Sequence, residues 1–403
     1  MNENTASPSS KLSAGEVFLT FLRLGLTSFG GPVAHLGYFR EEFVVRRKLL
    51  QESVYADLVA LCQFLPGPAS GQVGIGIGLS QAGLRGALAA WTGFTLPSAL
   101  VLILFAYGLG LVGPGAVQSG WLHGLKVAAV AVVVQAVWGM AKNLCPDRPR
   151  ATMALAAAAL TLAWSSVWGQ VAAIVIGGIF GLLWRRGVAD SEHHPQLVPV
   201  GRTAALLSLG LFFLLLVGLP LAAVGGGEVT AMVDSFYRAG SLVFGGGHVV
   251  LPLLQAELVE PGWISPDLFL AGYGAVQAVP GPLFTFSAYL GSVLQIGPGG
   301  WLGGLLCLLA IFLPSFLLVV GLLPFWDSLR RQPQVRSALV GINAAVVGLL
   351  LGACYQPVWT SGILGRGDFV LALAAFGALQ LWKLPPWLVV ALCGIGGALL
   401  ALI

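Results

Sequence analysis

An all-α integral membrane protein, built from two inverted-topology repeats with broken or re-entrant helices, is the fold this sequence predicts, and three observations predict it. Only 9% of the 403 residues are charged while 57% are hydrophobic, whereas a soluble chain carries about a quarter charged residues. Several apolar stretches, Thr203 to Val224 among them, reach the roughly 17 to 25 residues that cross about 30 Å of hydrocarbon. Motifs near the amino end return in the same order in the second half of the chain. The apolar runs are continuous, so a transmembrane β-barrel, which needs alternation, is excluded. The 56 glycines suit helices that approach closely in lipid, where no hydrophobic force draws them together.

Residues 1–14 form a polar tail without the basic region, short apolar core and cleavage site of a signal peptide. The first repeat is expected over residues 15–184. A polar linker follows over 185–202, then an extra transmembrane helix over 203–228 and the second repeat over 229–403. Phe21, Arg23, Gly25, Phe29, Gly30 and Gly31 recur at one offset as Phe236, Arg238, Gly240, Phe244, Gly245 and Gly246. Gln63 with Pro66-Gly67-Pro68 recurs as Gln277 with Pro280-Gly281-Pro282, Leu96-Pro97-Ser98 as Leu313-Pro314-Ser315, and Gly124 as Gly341. Ordered matches along both halves point to duplication.

A single added crossing before the second half turns that half over, so the repeats are expected to be inverted. Charge agrees: Arg40, Arg46, Arg47 and Lys48 follow the first motif, while the matching stretch of the second half carries Glu257, Glu260 and Asp267 and no Lys or Arg. Basic residues collect on the cytoplasmic side. To keep the further clusters at Lys142, Arg148, Arg150, Arg185, Arg186, Arg202, Arg330, Arg331 and Arg336 inside, the first two segments of each half are drawn as broken (roughly Gly15 to Tyr38, Val54 to Ser80, Val229 to Leu251 and Leu268 to Val293). About thirteen apolar elements result, with a cytoplasmic amino end and a periplasmic carboxyl end.

The breaks carry the functional reading. Two prolines remove backbone donors and the glycine between them permits unusual dihedrals, so no continuous helix passes Pro66-Gly67-Pro68 or Pro280-Gly281-Pro282. Freed backbone groups at membrane depth are tolerated against protein or a water-filled cavity, and duplicated breaks mark a substrate site. The half-helices expected to start at Ala69-Ser70-Gly71-Gln72 and Leu283-Phe284-Thr285-Phe286 would offer free amides and positive dipole ends to an anion. Gly30-Gly31 and Gly245-Gly246 form a second pair of breaks.

Each glycine pair follows an arginine within its apolar segment. Arg23 and Arg238 offer planar, bidentate donors suited to an oxyanion; snorkelling, or pairing with Glu42 or Glu257, is the alternative use of the same side chains. Lys126 is a further cation, with Asn343 in its place in the second half. The few carboxylates of the apolar segments make Glu42, Asp57 and Glu257 proton-coupling candidates, beside Asp234. His35 and His248 lie near the glycine turns without matching each other under the repeat offset.

Five cysteines without CxxC spacing indicate no metal site and no disulfide framework, and His193-His194 reads as part of a solvated loop. No cofactor is expected. A net charge of +4 does not point to nucleic acid. The chain lacks HExxH, Walker A and GxSxG motifs, so neither an enzyme nor an ATP-driven pump is expected.

Phe21-Leu22-Arg23-Leu24-Gly25 running into Ser28-Phe29-Gly30-Gly31-Pro32, then Gln63-Phe64-Leu65-Pro66-Gly67-Pro68, with a weaker copy of both after Phe236, resemble the chromate ion transporter family in its long two-domain form. The resemblance implies export of chromate across the bacterial inner (plasma) membrane, conferring chromate resistance, with the proton-motive force as energy source and sulfate as a look-alike anion. A homodimer is compatible with it. The residues expected to line the substrate site are Arg23, Ser28, Gly30, Gly31, Gln63, Pro66, Gly67, Ser70, Lys126, Arg238, Gly245, Gly246, Gln277 and Gly281. Gly247 in place of Pro32, and Leu283-Phe284 in place of Ala69-Ser70, make the second copy less polar. Oxyanion uptake, and a membrane assembly subunit that transports nothing, are the competing functions.

Overall fold

The computed structural model describes residues 11–112, 119–184 and 200–402. The polar linker, with His193-His194, Arg185 and Arg186, and most of the amino-terminal tail lie outside the described residues. Among the described residues the chain is helical with no strand, and six helices are long and apolar enough to cross a membrane.

The first half runs α1 (Ala14–Thr27), α2 (Gly31–Arg40), a π-helical turn (Glu41–Arg46), α3 (Glu52–Phe64), α4 (Ala69–Val112), α5 (Gly120–Leu144), α6 (Arg148–Ala163) and α7 (Val167–Trp184). The expected extra helix is α8 (Arg202–Ala223). The second half runs α9 (Gly227–Leu242), α10 (Val250–Leu254), a π-helical turn (Gln255–Val259), α11 (Pro266–Gln277), α12 (Phe286–Val293), α13 (Gly300–Leu322), α14 (Trp326–Arg330), α15 (Pro333–Ala353), α16 (Thr360–Gly362), α17 (Arg366–Gln380) and α18 (Pro386–Leu400). Both halves thus set a π-helical turn between their first two interruptions, a feature no pattern in the sequence announces.

Local chemistry explains the element ends. Ser13 and Glu16 close a capping box that starts α1, satisfying amides the first turn leaves unpaired. Ser265 caps α11, whose first residue is Pro266, where a missing N–H does no harm. All four drawn interruptions are present: α1 ends before Gly30 (φ 105°) and Gly31 (φ 79°), α9 before Gly245 (φ 77°) and Gly246 (φ 139°), and the turns after α3 and α11 place Gly67 at φ 122° and Gly281 at φ 108°. Side chains rarely tolerate these dihedrals. A further break at Ala82 and Gly83 divides α4 where the second half separates α12 from α13.

The halves are interlocked. α5 packs on α11, α17 and α18 of the other half, while α15 packs on α6 and α7. Gly124 and Gly341, the last matched pair in the sequence, sit at these crossings: a Cβ on Gly124 would collide with the Cys393 carbonyl, and one on Gly341 with the Gly177 carbonyl. Small residues let backbones meet where lipid supplies no drive for association. α8 stands outermost, with Leu206, Leu207, Phe213, Leu214, Val217 and Leu221 exposed, an apolar surface that hydrocarbon accepts and water does not.

Candidate functional site: the paired interruptions

Each proline-flanked turn is bonded to the glycine interruption of the opposite half. The Gly67 amide donates to the Val243 carbonyl at 2.7 Å, and the Gly281 amide donates to the Ser28 carbonyl at 3.0 Å. Ser28 and Val243 occupy matching places, as do Gly67 and Gly281, so the two bonds are related by an approximate two-fold. The serines of the Leu-Pro-Ser pair complete the relation: a Cβ on Gly67 would lie 2.7 Å from Ser315 Oγ, and one on Gly281 2.8 Å from Ser98 Oγ. Glycine at both turns is therefore demanded by dihedral and by space.

Around the Ser28–Gly281 bond the polar groups are buried. His35 Nε2 lies 3.2 Å from the Ser28 carbonyl and His35 Nδ1 3.4 Å from Ser70 Oγ. A carbonyl only accepts, so Nε2 carries the proton and Nδ1 accepts from the hydroxyl. The Phe94 ring packs edge-on at 5.2 Å. At the Val243–Gly67 bond, Gln72 Nε2 donates to the Pro66 carbonyl at 2.6 Å. Three buried side-chain oxygens near these turns have no hydrogen-bond partner, Ser28 Oγ, Gln72 Oε1 and Ser315 Oγ, while the Gln277 amide lies beside the Tyr273 hydroxyl. A buried polar atom without a partner loses its hydration for nothing, at about 1–3 kcal/mol.

A cavity of about 80 Å³ lies between the halves, lined by Gly30, Gly31, Gln135, His248, Gln277 and Gly281 among others. That is several times the roughly 10–15 Å³ that one water needs. α2 begins at its wall with Gly31, next to the left-handed Gly30, so first-turn amides and the positive end of a ten-residue helix meet the cavity. His248 Nδ1 is bonded to the Tyr273 hydroxyl at 2.8 Å. The lining offers donors and carries no carboxylate.

The structure gathers Ser28, Gly30, Gly31, Pro66, Gly67, Ser70, Gly245, Gly246, Gln277 and Gly281 at the two bonded turns. It does not bring the expected cations there. Arg23 and Gln63 are exposed. Lys126 is bonded to Asp267 at 2.8 Å in a separate open cavity, beside the His123–Asp368 pair. Arg238 is held by Glu257 through Nε and Nη2, both at 2.6 Å, and by Asp234 through Nη1 at 2.9 Å; carboxylate pairing was the alternative use of this side chain. Among the proton-coupling candidates, Glu42 is bonded to Arg46 and Arg47, and Asp57 accepts from Trp326 Nε1 at 3.0 Å. Sequence reasoning placed His35 near the glycine turns without counting it among the site residues, and gave Ser98, Gln135 and Ser315 no site role. The repeated Leu-Pro-Ser tripeptide was the available signal for two of them.

Interlocked apolar halves whose interruptions meet at a polar cavity define a multi-pass membrane transporter. The family model described as "Chromate transporter" matches residues 15–182 and again 230–398, and the chain belongs to the chromate transporter family. A protein of Pseudomonas aeruginosa named "Chromate transport protein" is 28% identical over 346 residues, covering 84% of this chain and 80% of its own. The "Probable chromate transport protein" of Synechococcus elongatus is 25% identical over 395 residues, 94% of this chain and 93% of its own. A Bacillus subtilis protein named "Uncharacterized transporter YwrB" is 32% identical over 164 residues, 40% of this chain but 81% of its own. No solved structure matches the chain.

Proposed function

We propose that the chain exports chromate from the cytoplasm across the bacterial inner membrane, driven by the proton-motive force, and so confers chromate resistance. In this reading residues 15–184 and 229–403 are inverted repeats, the amino end is cytoplasmic and the carboxyl end periplasmic, and the anion sits between the halves at the cavity beside Gly281.

The observation that carries the reading is a donor-lined cavity without a carboxylate, bounded by interruptions from both halves. A tetrahedral dianion satisfies such donors, and the α2 amides supply positive potential without a neighbouring ion pair. Neutral donors also suit passage, because an ion held by a full complement of cations would not leave. Direction follows from charge: a dianion leaving a cell that is negative inside gains about 4.6 kcal/mol at 100 mV. Relatives named for chromate transport support the choice of anion.

Sulfate uptake or exchange is the second reading, since sulfate has the same shape and charge. Chromate and sulfate flux measured side by side in liposomes, with the potential and pH gradient set independently, tests both. Export requires chromate movement toward the positive side that a pH gradient accelerates. Sulfate flux with no chromate flux would replace it with the second reading, and no flux of either anion would favour a non-transporting assembly subunit.

A further inference from the structure

Arg238 is the centre of a cluster that the central cavity does not use. It lies on α9, five residues before the interruption at Val243, and Glu257 lies in the π-helical turn beyond that interruption. The Arg238–Glu257 bond therefore closes the hairpin across its own break. Glu257 takes the guanidinium in the two-point fork geometry, at 2.6 Å through each nitrogen. Asp234, one turn before Arg238, has a single bond to Nη1 at 2.9 Å. Both carboxylates are buried, Asp234 at 5% and Glu257 at 5% exposure.

Two carboxylates on one guanidinium leave a net charge of −1 when both are ionised. The elements packed most closely against α9 are α8, α10, α13 and the Gln255–Val259 turn. α10 and α13 carry no charged residue, and α8 carries only Arg202, at the end of that helix farthest from its turn into α9. The other charged group on α9, Glu228, is bonded to the Gly297 amide. Among the described residues no second cation on these elements offsets the cluster, and an uncompensated charge out of water is strongly disfavoured. The first half is built differently at the same places: Leu19 stands where Asp234 does, Arg23 is exposed, and Glu42 is shared between Arg46 and Arg47. The excess carboxylate belongs to the second half alone.

We propose that Asp234 carries the coupling proton of transport, taking it up as the cluster goes from a charge of −1 to neutral and releasing it as Arg238 returns to two ionised partners. Asp234 is the carrier because Glu257 is fixed by two bonds to the guanidinium, while Asp234 has one bond to give up. Protonation loosens the second partner of Arg238 on the segment whose Val243 carbonyl holds the Gly67 turn, which links the proton to the site between the halves. The proposal rests on the proton-driven reading above.

The test uses the full chain in liposomes, with chromate flux measured at zero membrane potential, with and without a pH gradient. Asp234→Asn is expected to abolish the acceleration by the gradient while chromate-for-chromate exchange persists; acceleration retained in the variant overturns the assignment. A wild-type flux indifferent to the gradient overturns the proton-driven reading and the assignment with it. Infrared difference spectra on acidification give a readout independent of the variant's transport. A protonated-carboxyl band present in the wild type and missing from Asp234→Asn supports the proposal, and its persistence in the variant contradicts it. Should Asp234→Asn fail to insert, Asp234→Glu keeps the carboxylate and is expected to keep gradient-driven flux; wild-type protein showing no such band on acidification then overturns the proposal.

Discussion

The backbone amide of Gly67 donates to the carbonyl of Val243 at 2.7 Å, and through that bond a turn of the first half is seated on the interruption of the second. The reciprocal bond from Gly281 to Ser28 makes the seating mutual. Neither half can move past the other without breaking these two bonds.

Gly67→Ala and Gly281→Ala are each expected to destabilise the protein. Both positions have positive φ, and a methyl group would meet Ser315 Oγ at 2.7 Å or Ser98 Oγ at 2.8 Å. Strain of this kind costs about 1–3 kcal/mol. Thermal unfolding in detergent checks the expectation, and a melting temperature unchanged in both variants would contradict it.

The two matched arginines are expected to behave differently. Arg238→Gln leaves Asp234 and Glu257 buried without their cation, a loss of about 3–5 kcal/mol when one partner of a buried pair is removed. Arg23 is exposed, and Arg23→Gln should fall within about 0.5 kcal/mol of wild type. Expression level, melting temperature and chromate tolerance of the pair measure the contrast. Equal behaviour would mean that the Asp234–Arg238–Glu257 cluster contributes nothing.

The proposed inversion of the repeats makes a prediction about sidedness. Gln51 caps α3 and Ser265 caps α11; the two positions match and both are exposed. In a background lacking the five native cysteines, Gln51→Cys and Ser265→Cys are expected to react with an impermeant thiol reagent from opposite sides of the membrane. Labelling from the same side would exclude an inverted duplication.

What the sequence revealed and what it hid divide along physical lines. The four interruptions were legible because Pro-Gly-Pro and paired glycines act on the backbone locally, whatever surrounds them. The partner of each interruption was not, since the Gly67–Val243 and Gly281–Ser28 bonds join residues far apart in the chain. The same limit hid the interlocking of α5 with α17 and α18, although Gly124 and Gly341 marked the crossings. Arg238 was read as a substrate cation with pairing to Glu257 as the alternative; its commitment to Asp234 as well as Glu257 depends on how the chain returns after the break. His35 escaped assignment because it has no counterpart at the repeat offset, yet it holds the Ser28 carbonyl that receives Gly281. Lys126 looked like a substrate cation from its neighbour Gly124; its partner, Asp267 on α11, comes from the other half.

The central claim is that an oxyanion is bound between the halves by the neutral donors lining the cavity there. Equilibrium binding of chromate to the purified protein, compared for wild type, Gln277→Leu and Gln63→Leu, tests it most directly. A hydrogen bond to a charged group contributes about 1.5–3 kcal/mol, so Gln277→Leu should weaken binding roughly tenfold or more, while the exposed Gln63 tolerates the same change. Unaltered chromate affinity in Gln277→Leu would contradict the claim.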